Sequence, residues 1–402
     1  MSDFLTLDTL PFAGKIILLR ADLNVPMKDG AVTDAERLTR LLPTLKTLAQ
    51  GKARVVILSH FGRPSPNADH EANKKYSLRP VATALEKIWG QPVRFAEDCI
   101  GAVAATAIAA LPPGQILVLE NTRFHAGEEA NDPTFCAQLA KLGDIYINDA
   151  FSTAHRAHAS TEGLAKLLPH AAGRLMQAEL EALEKALSKP ERPVAALVGG
   201  SKISTKLDLL ENLVAKVDLL VLGGGMANTF LAAEGVAIGK SLYEADMLDT
   251  ARAISAKASA RSCRILLPID AVVATTLQAH IATQTVSVFA VPADHMILDI
   301  GPQSEQEIAK ALQECKTVVW NGPLGAFEFP PFDHATVAVA QAVAKLTKTG
   351  KLLSVAGGGD TVAALSHAKV MNDFSYVSTA GGAFLEWLEG KTLPGVAALH
   401  VA

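Results

Sequence analysis

Short apolar runs recur along the chain, and each one feeds directly into a polar or glycine-rich loop. In the first half Ile16–Leu19 leads into Arg20-Ala21-Asp22-Leu23-Asn24-Val25-Pro26, and Val55–Leu58 into Ser59-His60-Phe61-Gly62-Arg63-Pro64. Ile116–Leu119 leads into Glu120-Asn121-Thr122-Arg123, and Ile145–Ile147 into Asn148-Asp149-Ala150-Phe151. In the second half strands are expected near 194–198, 219–222, 265–267, 318–321, 352–355 and 374–378. Nearly continuous apolar runs of this length predict strands buried on both faces, as in a parallel sheet. Helical spacing of apolar residues fills the gaps, over 35–49, 78–89, 133–142, 204–215, 305–314 and 335–346. Strands alternating with helices predict an α/β protein built from βαβ units.

Local signals refine this pattern. Thr33 or Asp34 is expected to cap the first helix, and Pro43 to kink or divide it. The strongest helical pattern is Arg174–Ser188, halted by Lys189-Pro190-Glu191-Arg192-Pro193. It reads as a connector between two domains; an ordinary crossover helix is the alternative. Two domains also follow from length, since 402 residues exceed what one core usually serves. The end of the chain, from Lys391, either frays or docks on a neighbouring surface.

The loops of the two halves differ in chemistry. Arginine recurs at the strand ends of the first half, and its planar fork grips phosphate or carboxylate with two parallel bonds. Glycine recurs at those of the second half: Gly199-Gly200, Gly223-Gly224-Gly225, Gly357-Gly358-Gly359 and Gly381-Gly382. Glycine lets the backbone approach a ligand, and helix N-termini with bare N–H groups cradle phosphate. Two anionic ligands, one for each half, are the natural reading. Arg20, Asp22 and Asn24 alternate along an extended stretch and are expected to point to one side. Lys202 and Lys206, four apart, are expected to leave one face of a helix start. Asp360 after three glycines suits a magnesium ion, with Thr361 opening a helix. Each feature also has a bland reading as a turn, a cap or a solvated charge. His60, His155 and His158 are assigned no proton-transfer role. Gly235–Ser241 fails as a Walker A loop because Glu234 stands where its first glycine belongs. A dinucleotide fingerprint at Gly223 fails at Asn228.

Composition narrows the partners. The net charge of −4, with acidic and basic residues equal in number over 1–173, argues against nucleic acid. No apolar run reaches membrane-spanning length, and Met1-Ser2-Asp3-Phe4 shows no signal peptide, so a cytoplasmic protein with no membrane partner is expected. Cys99, Cys136, Cys263 and Cys315 lie far apart, which fits a reducing compartment.

Taken together, Arg20–Pro26, Ser59–Pro64, Leu119–Asn131, Asn148–Thr161, Val198–Leu207, Val319–Phe329, Gly357–Thr361 and Ser378–Gly390 closely resemble the phosphoglycerate kinase family, in family order over nearly the whole length. Two positions depart from it: Ser152, where the family usually has glycine, and Ala380, commonly the first of three glycines. The resemblance implies two Rossmann-like domains, each a parallel sheet flanked by helices, joined by a connector helix. The expected division is 1–173 for phosphoglycerate, 174–189 for the interdomain helix and 190–390 for nucleotide, with 391–402 a tail docking back on the first domain.

The same resemblance implies transfer of the acyl phosphate of 1,3-bisphosphoglycerate to Mg-ADP, giving 3-phosphoglycerate and Mg-ATP, by a monomer that closes over both substrates. Asp22, Leu23, Asn24, Arg37, His60, Phe61, Gly62, Arg63, Arg123 and Arg156 would bind phosphoglycerate. Lys206, Glu328, Gly358, Gly359, Asp360 and Thr361 would bind ATP or ADP, with Asp360 at Mg2+. Arg37, Lys202, Gly381 and Gly382 would face the moving phosphoryl group. A nucleotide-dependent dehydrogenase is disfavoured by the missing fingerprint. A non-catalytic scaffold is disfavoured by the presence of every expected charged residue.

Overall fold

A computed structural model describes residues 4–66 and 70–400. The chain divides into two compact units, one of residues 1–181 with 392–402 and the other of 182–391.

The first unit is built on strands β1 (Ile16–Arg20), β4 (Arg54–Leu58), β5 (Val93–Ala96), β6 (Ile116–Leu119), β7 (Ile145–Asn148) and β8 (His170–Ala172), with a small hairpin of β2 (Met27–Lys28) and β3 (Ala31–Val32). The six longer strands form one sheet in the order β5-β6-β4-β1-β7-β8, parallel throughout. The chain starts at β1, moves outward through β4, then returns to place β7 on the other side of β1. That reversal opens a crevice at the carboxyl ends of the central strands, where ligands of open α/β sheets bind. The core beneath is made by helix spacing meeting strand spacing. Leu38, Leu41, Leu45 and Leu48 line one face of the helix Glu36–Gln50 and pack with Ile17, Leu19, Val55 and Ile57.

The second unit repeats the scheme. Strands β9 (Val194–Val198), β10 (Leu219–Leu222), β11 (Arg264–Leu266), β15 (Thr317–Asn321), β16 (Leu353–Gly357) and β17 (Tyr376–Ser378) form a parallel sheet in the order β11-β10-β9-β15-β16-β17. The order reverses between β9 and β15. A second sheet, β13-β12-β14, consists of β12 (Asp270–Ala274), β13 (Gln284–Ser287) and β14 (Met296–Ile300), antiparallel and absent from the expected strands. Strand β13 is mostly polar and β14 is broken by Asp299, whereas β12 does carry an apolar run, Ala271–Ala274, after Asp270.

Several local expectations change. Helix Glu36–Gln50 runs unbroken through Pro43, so the proline does not divide it. Its N-cap is Ala35, with no side-chain cap; Asp34 Oδ1 instead accepts the Glu36 amide at 2.9 Å. The expected connector is α-helical over Arg174–Leu183 and π-helical over Glu184–Ser188, and the division between units falls inside it, after Glu181. Thr392–Ala402 groups with the first unit, where the Gly395 amide donates to Ala154 O at 2.8 Å.

Candidate functional site

In the first unit the carboxyl ends of β1, β4, β6 and β7 each carry part of an arginine-rich cluster. After β1, Asp22 Oδ1 accepts the Asn24 amide at 3.0 Å, and Asp22 Oδ2 accepts Arg37 Nη1 at 2.7 Å. Arg37 Nη1 also donates to Asn24 O at 2.9 Å. Asn24 Oδ1 reaches across to the Gly62 amide, 2.9 Å, tying the loop after β1 to the loop after β4. Gly62 needs its φ of +59°, and a Cβ there would strike the Tyr76 ring. Arg123 is buried; its Nη1 donates to Gly62 O at 2.8 Å, and its Nε lies 3.0 Å from Glu129 Oε1.

Arg20 does not share the half-buried setting of Asp22 and Asn24. It is buried, with Nε donating to Ser160 Oγ at 2.8 Å and Nη2 lying 3.0 Å from His60 Nδ1. Arginine can only donate, so Nδ1 of His60 is the acceptor and Nε2 carries the proton. Burial holds the His60 pKa well below 6.5, reinforced by Arg20, Arg123, Arg156 and Arg37. His60 is therefore a neutral N–H donor among arginines. His158 is pushed down to about 4, by burial first and then by Arg123, Arg156 and Arg20. Arg63 is exposed. Leu23 and Phe61 turn their side chains into the core, which leaves only their backbone to a ligand.

Two residues in this cluster carry roles that the sequence pattern did not assign. Asn121 donates to Phe61 O at 2.7 Å and accepts from the amides of Phe61 and Arg123, clamping the loops after β4 and β6 together. Glu120 accepts Ser77 Oγ and the Leu78 amide, at 2.6 and 2.8 Å. The signal was a polar pair directly after a buried strand.

In the second unit a cleft of about 330 Å³ is lined by Lys206, Asn321, Gly322, Gly358, Gly359, Asp360, Thr361, Gly381, Gly382 and Leu385. It lies over the carboxyl ends of β15 and β16, beside the point where strand order reverses. The helices Gly359–His367 and Gly382–Leu388 begin there. Gly358 has φ +98° and Gly381 φ +50°, conformations that side-chain-bearing residues rarely adopt. A neighbouring cleft of about 360 Å³ includes Gly200, Gly224, Leu242, Leu277, Met296, Leu298, Glu328 and again Asp360. Strand β14 forms its wall, so the missed antiparallel sheet is part of this site.

The lysines are not placed as their spacing predicted. The helix begins at Leu207, so Lys202 and Lys206 precede it. Lys206 Nζ donates to Gly199 O at 2.6 Å and Asn321 Oδ1 at 2.7 Å, with Asn321 O at 3.3 Å. Burial lowers its pKa to about 8, while Asp360 acts in the opposite direction. Lys202 is exposed and lines neither cleft. Thr361 does not open its helix, which begins at Gly359 after the N-cap Gly358; its hydroxyl accepts the Gly322 amide at 2.7 Å and ties the turn after β15 to the helix after β16.

The model of the family "Phosphoglycerate kinase" matches residues 7–391. The chain belongs to the phosphoglycerate kinase family. It is therefore an enzyme, a phosphotransferase with a carboxyl group as acceptor, and its reaction is the glycolytic one of that family. The phosphoglycerate kinase of Rhodospirillum centenum is 64% identical, over 98% of this chain and 99% of that protein. That of Methylorubrum extorquens is 62% identical over 100% and 99%. The solved structure of phosphoglycerate kinase from Coxiella burnetii is 45% identical with a TM-score of 0.92, covering 98% of both chains. The phosphoglycerate kinase of Pyrococcus horikoshii is 31% identical with a TM-score of 0.80, again over 98% of both.

Proposed function

We propose that the arginine cluster of the first unit binds phosphoglycerate, that the clefts of the second bind ATP or ADP, and that the acyl phosphate passes directly between them. The observation that carries this reading is the chemical division between units: guanidinium groups at one set of strand ends, glycines and helix N-termini at the other. The bond from phosphorus to the acyl oxygen breaks, 3-phosphoglycerate leaves as a carboxylate, and a terminal oxygen of ADP forms the new bond to phosphorus. No protein nucleophile or proton acceptor is needed. The work of the protein is in-line positioning, positive charge on the transferring oxygens, and exclusion of water.

In this reading Asp22, Asn24, His60, Arg63, Arg123 and Arg156 hold phosphoglycerate. His60 contributes its Nε2–H as a neutral donor. Arg37, Lys202 and the amides near Gly381 and Gly382 face the moving group. Lys206, Glu328 and Gly358–Thr361 hold the nucleotide. Asp360 is an exposed carboxylate shared by both clefts, and a hard oxygen donor beside a phosphate cradle fits Mg2+, which takes one or two carboxylates plus phosphates and water. When bound, the ion neutralises phosphate oxygens. We further place the enzyme in the cytoplasm as a monomer, in keeping with four buried free thiols.

Calorimetric titration of each ligand alone tests the division. Asp360→Ala is expected to weaken Mg-ADP binding about tenfold or more and to leave 3-phosphoglycerate within about twofold. Equal weakening of both would contradict it.

A further inference from the structure

We propose that Ser152 is a positioning residue for Arg37, acting through Asp22. The inference rests on the assignment of Asp22 and Arg37 to the phosphoglycerate site. Ser152 sits in the 3-10 turn Phe151–Thr153 directly after β7 and is half-buried. Its hydroxyl donates to Asp22 Oδ2 at 2.5 Å, the same oxygen that accepts Arg37 Nη1 at 2.7 Å. A carboxylate oxygen offers about two acceptor sites. Ser152 therefore completes Oδ2. Oδ1, which already accepts the Asn24 amide, keeps the remaining site for a substrate hydroxyl.

The same three donors hold the carboxylate against rotation. Torsion about the last bond of an aspartate is broad when nothing restrains it. Without Ser152, Oδ2 would be held only by Arg37, whose side chain is 36% exposed. Arg37 places one Nη1 hydrogen on Asp22 and the other on Asn24 O, which leaves Nε and Nη2 to meet an anion. A swing of Asp22 would carry that fork with it. Ser152 thus links the end of β7 to the end of β1 and sets the direction of Arg37.

Steady-state kinetics of Ser152→Ala, Ser152→Thr, Asp22→Asn and the Asp22→Asn/Ser152→Ala pair test this, with urea unfolding midpoints alongside. For Ser152→Ala, kcat/KM for 3-phosphoglycerate should fall about three- to tenfold, the range of one modest hydrogen bond. The KM for Mg-ATP and the unfolding midpoint should hold. Ser152→Thr keeps the hydroxyl and should recover most of the loss. In the Asp22→Asn background, Ser152→Ala should add less than about twofold, since the two act as one unit. The proposal is overturned if Ser152→Ala changes kcat/KM by less than about twofold, if Ser152→Thr is as impaired as Ser152→Ala, or if the two substitutions simply add. An Asp22→Asn enzyme with unchanged kinetics would instead remove Asp22 from the phosphoglycerate site, and this inference with it.

Discussion

Arg37 shows how a partly exposed side chain acquires a defined direction. Two bonds from Nη1 fix its fork, while the rest of the guanidinium stays available. Because it is not part of the core, its removal should spare the fold. Arg37→Ala is expected to lower turnover about 10³–10⁵-fold with native circular dichroism, the scale of an arginine acting on a transferring phosphoryl group. A loss under about tenfold would take Arg37 away from the transition state. His158 acts on stability instead. His158 has its pKa depressed from 6.5 to about 4, so the unfolded chain takes up protons that the folded one refuses. The stability this histidine contributes is present above pH 6.5 and is lost as pH falls toward about 4. His158→Gln should therefore show a shallower fall in urea unfolding midpoint between those pH values than the unaltered chain; an identical slope would place the acid sensitivity elsewhere.

At the scale of elements, the strand end after β7 does two jobs. Ser152 reaches Asp22 in the loop after β1, and Asp149 caps the helix Arg174–Leu183. Asp149 Oδ1 accepts the amides of Leu175 and Met176 at 2.8 and 3.0 Å, satisfying N–H groups that a helix start leaves bare. Burial pushes the Asp149 carboxyl up to about 6, against the pull of Thr44 and those amides. Its linkage has the opposite sign to that of His158: the fold favours the proton, and the burial penalty is relieved as pH falls through about 6. Gly173 makes the cap possible, because a Cβ there would land on the Asp149 carboxylate. Gly173→Ala should cost about 1–3 kcal/mol in urea unfolding, as other overpacked buried sites do. A variant as stable as the original would show that the cap relaxes without cost.

At the scale of the whole molecule, the two units carry different ligands in the proposed reading. A ligand shifts a conformational equilibrium only by binding one state better than the other. Phosphoglycerate alone or nucleotide alone is anchored mainly to one unit and supplies little such difference. Both together offer the transferring phosphoryl group to donors from each. The radius of gyration by small-angle scattering should therefore fall substantially in the ternary state and little in either binary state. Equal values in all four states of active protein would sink closure driven by two ligands.

The sequence by itself determined the α/β class and the parallel strands, because buried central strands need unbroken apolar runs such as Ile116–Leu119 and Val194–Val198. It also exposed the contrast between arginine loops and glycine loops, since each loop follows its strand within a few residues. Tertiary structure decided what adjacency in sequence does not encode. Arg20 lies two residues from Asp22, yet partners supplied by Ser160 and His60 draw it into the interior. Lys206 was placed by contacts with Gly199, just after β9, and Asn321, at the end of β15, not by helical spacing from Lys202. Strands β12 to β14 became legible only once paired with each other, because the mostly polar β13 and the aspartate-bearing β12 and β14 draw their strand character from their neighbours. Ser152 stands 130 residues from Asp22 along the chain. Only the parallel pairing of β1 with β7 brings that hydroxyl to the carboxylate.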